Sequence, residues 1–143
     1  MKTISVLLAL LIPQTIFAAV SPIHFNMPNS YTSGQAVEIS ITNTSAQSIN
    51  IPETGNCHQF FSIHNSAGQP VVFTDPNQIC TQEFRTLTLA PQESKVLGSW
   101  NQHYYVPCPP NANCLVGTLP VQPGTYNIRV LIENQNYAEY PIQ

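Results

Sequence analysis

Apolar and polar positions alternate with period two along most of this chain, the pattern of half-buried strands rather than helices. Val37, Ile39 and Ile41 share one face while Glu38, Ser40 and Thr42 share the other. Ile49 and Ile51 keep the same parity beyond Asn43-Thr44-Ser45, so the pattern predicts one long strand with a bulge. Phe61 and Ile63 continue the inward set on a further strand, and Asn65-Ser66-Ala67-Gly68 predicts a turn into Val71-Val72-Phe73, hence a hairpin. Leu87 and Leu89 mark the next strand, Ala90-Pro91-Gln92-Glu93 a turn, and Val96, Gly98 and Trp100 the inward side of the strand that follows. Near the end, Tyr126, Ile128, Val130 and Ile132 alternate with polar residues, and Ala138, Tyr140 and Ile142 form a last inward set in which Pro141 suits an edge strand.

With a first strand between Pro22 and Met27, the count comes to about seven or eight short strands with turns at sandwich-like spacing. Thirteen prolines and a charged fraction of only 8% leave little room for helix. The fold class predicted is all-β, an antiparallel sandwich.

Met1-Lys2-Thr3, the apolar run to Ile12 and the small residues Ala18-Ala19 match a secretory signal peptide at residues 1–18, too short for a bilayer span of about 20 apolar residues. Residues 19–143 are then one domain, expected in the periplasm or secreted. The formal net charge is −3, and the only Lys and Arg beyond Lys2 are Arg85, Lys95 and Arg129. Nucleic acid is a poor partner for such a surface, because phosphate binding rests on clustered cations.

Cys57, Cys80, Cys108 and Cys114 are an even set in a chain addressed to an oxidising compartment, which predicts two disulfides. Three pairings are open; closeness in sequence favours Cys108 with Cys114 and leaves Cys57 for Cys80. The four contain no C-x2-C pair of the kind a structural zinc site uses.

Several segments carry a resemblance. Gly34-Gln35-Ala36-Val37-Glu38-Ile39-Ser40-Ile41-Thr42-Asn43, Phe60-Phe61-Ser62-Ile63, Asn65-Ser66-Ala67-Gly68-Gln69-Pro70-Val71, Leu89-Ala90-Pro91-Gln92-Glu93-Ser94, Ser99-Trp100-Asn101-Gln102 and Pro123-Gly124-Thr125-Tyr126-Asn127-Ile128-Arg129-Val130 occur in this order. Together they resemble the BsuPI-like intracellular proteinase inhibitor family. That resemblance implies an immunoglobulin-like β-sandwich and inhibition of serine proteases. The chain departs from it in its export signal, its four cysteines and an insertion over residues 103–122, and no inhibitory residue is carried across.

The insertion supplies the candidate contact surface. Tyr104, Tyr105 and Val106 precede the loop with Pro109 and Pro110, closed by Cys114 and followed by Leu115. Aromatics beside a constrained loop lose little entropy on binding, which suits a protein partner such as a protease. The competing reading is that they cover the end of the sandwich. A copper or zinc site is the alternative from another class, with His58 and His103 as its ligands because both border the cysteine-rich end, and an accessory subunit of a surface assembly is a further reading. No cofactor and no catalytic residue is expected: Asp75 is the only aspartate, and no Gly-x-Ser-x-Gly elbow occurs. Asn43-Thr44-Ser45 also fits an N-glycosylation sequon.

Overall fold

The computed structural model describes residues 21–54, 59–75, 78–79, 83, 85–106, 117–133 and 137–143. Those residues form ten strands and no helix, all paired antiparallel. One sheet has the order β1 (Ile23–Phe25), β2 (Val37–Asn43), β6 (Ser94–Trp100). A second has the order β10 (Tyr137–Ile142), β9 (Tyr126–Leu131), β4 (Ser62–Asn65). Two pairs complete the set: β3 (Ile49–Pro52) with β5 (Thr86–Leu89), and β7 (His103–Val106) with β8 (Gly117–Pro120). Among the described residues no helix is long and apolar enough to cross a membrane.

The predicted inward sets build one core between the sheets. Val37, Ile39, Ile41, Ile51, Ile63, Leu89, Ile128 and Val130 are wholly buried, and Phe25, Phe61, Trp100, Ile132 and Ile142 almost so. Pro141 lies on β10, at the edge of its sheet, where a missing N–H breaks no ladder. The arrangement is sandwich-like, with both three-stranded sheets turning apolar side chains into one core.

The long strand predicted over residues 37–51 is two strands. β2 pairs with β1 and β6, whereas β3 pairs with β5, so the chain changes partners between them. Asn43 makes the change possible as the only buried polar side chain among the described residues. Its Nδ2 donates to the carbonyls of Gln47, Ala90 and Leu89 at 2.8, 3.0 and 3.1 Å, and its Oδ1 accepts from the amide and hydroxyl of Ser45. Its main chain is held as well, since Asn43 N donates to Glu93 O and Gln92 N donates to Asn43 O. One side chain thus fastens the end of β2 to the turn between β5 and β6. A glycan would replace one of the two Nδ2 hydrogens and finds no space at a wholly buried side chain, so the Asn43 sequon is expected to stay unmodified in the folded chain.

A second departure lies in β6. Opposite Ile39 sits Gly98, but opposite Ser40 sits Val96, so Leu97 is an extra residue and the strand is bulged. A bulge reverses parity on one side of itself. Val96, predicted inward with Gly98 and Trp100, therefore shares the solvent face with Ser40 and is 51% exposed, while Leu97 packs on the core. Gly98 has φ +152°, and a Cβ there would stand 3.1 Å from Cε1 of Phe61. Gly98→Ala is accordingly expected to cost about 1–3 kcal/mol of unfolding free energy in urea titration, from backbone strain and a displaced Phe61 ring together.

The predicted hairpin at Val71-Val72-Phe73 is short. Gly68 N closes the turn on Asn65 O, and Val71 N donates to Ile63 O, beside a single bridge between His64 and Pro70. Beyond it, Tyr105 N donates to Val72 O at 2.7 Å and joins β7 to this segment. One main-chain bond thus ties the separate β7–β8 sheet to the segment that follows β4.

Candidate protein-contact hairpin

The insertion folds back on itself in the register Tyr104 with Leu119, Tyr105 with Thr118 and Val106 with Gly117. Its base is fixed by the Trp100-Asn101-Gln102 segment. Trp100 Nε1 donates to His103 O at 3.0 Å, and the indole meets Tyr126 edge-on with centroids 5.3 Å apart. Gln102 takes a left-handed conformation, φ 59°, which turns the chain into β7. Its Nε2 donates to Thr32 O and Gln35 O, both at 2.8 Å, while Val121 N donates to Gln102 O. On the exit side, the Tyr126 hydroxyl donates to Gln122 O at 2.7 Å. Burial raises the phenol pKa of Tyr126, with Tyr104 adding to the shift, so the hydroxyl keeps the proton this bond requires throughout the neutral range.

Between these anchors lies a cavity of about 80 Å³ bordered by Tyr31, Trp100, Gln102, Val121 and Tyr126. It is far below the roughly 300 Å³ of the smaller ligand pockets. A second, open depression between residues 45–50 and Ile132-Glu133 has Glu133 as its one ionisable lining residue, and that carboxylate accepts from Asn50 Nδ2.

Of the sequence-derived contact residues, Tyr104 and Tyr105 are half-buried at the hairpin and Val106 is exposed. Pro109, Pro110 and Leu115 lie outside the described residues, as do residues 1–18 and all four cysteines. Two exposed apolar residues escaped that reading: Leu119 on β8 and Val72 on the adjoining segment, each 49% exposed. The sequence does hold a signal for such a surface, since residues 96–128 include no Asp, Glu, Lys or Arg.

For the metal alternative, His58 lies outside the described residues. His103 uses Nδ1 locally, 2.8 Å from Asn101 O. His64 stands between Ser62 Oγ and Gly68 O on its own strand and turn, with an Arg129 Nη1 at 3.3 Å. Arg129 Nε in turn is 2.7 Å from Glu139 Oε1, an ion pair by distance without the alignment of a hydrogen bond. Among the described residues no three His, Cys, Asp or Glu side chains are grouped to hold a metal ion.

No protein-family model matches this chain, and no curated protein matches its sequence.

Proposed function

We propose that this chain is an exported immunoglobulin-like binding module that engages a protein partner, a protease in the first instance, through the β7–β8 hairpin. The observation that carries the reading is the hairpin itself. Its described residues carry no Asp, Glu, Lys or Arg, and it holds the half-buried Tyr104 and Tyr105 and the exposed Val106 on a base fastened by Trp100, Gln102 and Tyr126. A contact surface held this firmly loses little conformational freedom when it docks. The immunoglobulin-like assignment draws support from Tyr126, whose hydroxyl reaches back to a carbonyl just upstream, as in the tyrosine corner of that fold.

Export brings with it the two disulfides among Cys57, Cys80, Cys108 and Cys114. Glu53 N donates to Arg85 O at 3.0 Å, which draws together the segments leading into Cys57 and away from Cys80 and favours that pairing. Protease inhibition is the resemblance's contribution. Incubation of the mature protein with a panel of serine and cysteine proteases, read by residual activity and by complex formation in gel filtration, tests it. Tight inhibition of at least one serine protease, weakened at least about tenfold by Tyr105→Ala, is the expected result. A panel showing neither inhibition nor complexes removes the inhibitor reading.

A further inference from the structure

We infer that the outer edge of β8 is a self-pairing surface, through which two copies of this chain join their β7–β8 hairpins across a two-fold axis. Backbone direction is the starting point. In an antiparallel pair, opposed residues alternate between those that bond to each other and those whose groups point away. Tyr105 N is turned away from β8, because it donates to Val72 O, and the bonded neighbour at the hairpin base is Val121 N with Gln102 O. Tyr105 and its partner Thr118 are therefore a pair that does not bond to each other. Both the N–H and the C=O of Thr118 point outward, and neither has a partner among the described residues.

Such an edge is ordinarily blunted by a charged side chain, a bulge or a proline. Every residue of β8 is exposed, and none is charged. Only Pro120 interrupts the edge, and it removes one donor two residues from Thr118.

The occupant follows from symmetry and charge. A two-fold axis at Thr118 sets this residue opposite its own copy, where its N–H and C=O form two reciprocal bonds. Leu119 of each copy then falls opposite Gly117 of the other, on the same face. The missing side chain of Gly117 leaves the space that the exposed Leu119 fills. With a formal net charge of −3, two copies repel over most of their surface, but the uncharged stretch of residues 96–128 lets this edge approach without a like-charge contact. The pairing also closes: each copy contributes the outer edge of β8 to a two-fold contact and uses it up there, so a dimer results rather than a filament.

The dimer uses the same β7–β8 hairpin as the protease reading, but its test reads self-association and Thr118 exchange alone, so a failed protease panel leaves it standing and a monomeric chain leaves the protease reading standing. Sedimentation equilibrium of the mature protein from micromolar to near-millimolar concentration is the test, with amide hydrogen exchange at Thr118 read alongside. A monomer–dimer equilibrium is expected, with Thr118 exchange slowing as concentration rises. Thr118→Pro and Leu119→Glu should each weaken dimerisation at least about tenfold while the far-ultraviolet circular dichroism stays that of the parent. A chain that stays monomeric across the range overturns the inference. So does a dimer in which Thr118 exchange is independent of concentration, a readout that needs no variant to fold.

Discussion

Asn43→Ala is expected to lower the unfolding free energy by about 3–5 kcal/mol, read from the midpoint of urea denaturation at unchanged slope. The figure follows from what the side chain leaves behind. Three carbonyls, of Gln47, Leu89 and Ala90, lose their shared amide donor, and the amide and hydroxyl of Ser45 lose their acceptor. A buried polar group stripped of its partner is penalised for its full desolvation, which exceeds the modest net gain of the bond it once made. Asn43→Asp sharpens the test, since it keeps the shape and the acceptor but turns a carboxylate oxygen toward the same carbonyls. At neutral pH it should be at least as unstable as the alanine variant. Burial raises the folded-state pKa of such a carboxyl above its usual value of about 3.9, so the folded state binds the extra proton more readily. Stability must then rise as pH falls through that raised pKa, opposite to the ordinary salt-bridged aspartate. An Asn43→Ala variant within about 1 kcal/mol of the parent contradicts the role given to this residue.

Trp100→Ala is expected to be of similar size, about 3–5 kcal/mol, because a side chain only 2% exposed leaves a cavity between β6 and β9 that the sheets cannot fully close. Trp100→Phe separates the two jobs of the indole. The phenyl ring retains much of the packing against Tyr126 and abolishes the bond from Nε1 to His103 O, for an expected loss of about 1–2 kcal/mol. That bond sits at the entry to β7. Its removal should therefore speed amide exchange at Tyr105, whose N–H is bonded to Val72 O, more than at Val130 in the middle of β9. Equal acceleration at both positions would mean that the indole stabilises the domain as a whole and does not specifically anchor the hairpin.

Much of the strand content was legible because it depends on a local rule. Side chains alternate across a strand whatever the strand pairs with, so Val37, Ile39, Ile41, Phe61, Ile63, Leu89, Ile128, Val130, Ala138 and Ile142 could be placed inward without knowing their neighbours. The turn at Ala90-Pro91-Gln92-Glu93 was equally local: Glu93 N bonds back to Ala90 O, and Ala90 N donates to the carboxylate of Glu93.

The candidate site was only half legible. Tyr104, Tyr105 and Val106 stood out as apolar residues beside a proline-rich loop, but Leu119 and Val72 did not. Val72 joins that surface through one main-chain bond to Tyr105, a contact across sequence distance that no periodicity encodes.

By itself the sequence determined that the chain forms strands, which side chains of most strands turn inward, and that the hairpin region is free of charge. Only the tertiary structure decided that residues 37–51 divide into two strands at Asn43, that Leu97 bulges and turns Val96 to solvent, and that Thr118 directs its main-chain groups outward. The division has one cause. Alternation is a property of a single extended backbone, whereas register, bulges and free edges depend on which other strand supplies the hydrogen bonds, and those partners lie as far away as Ser62 from Arg129.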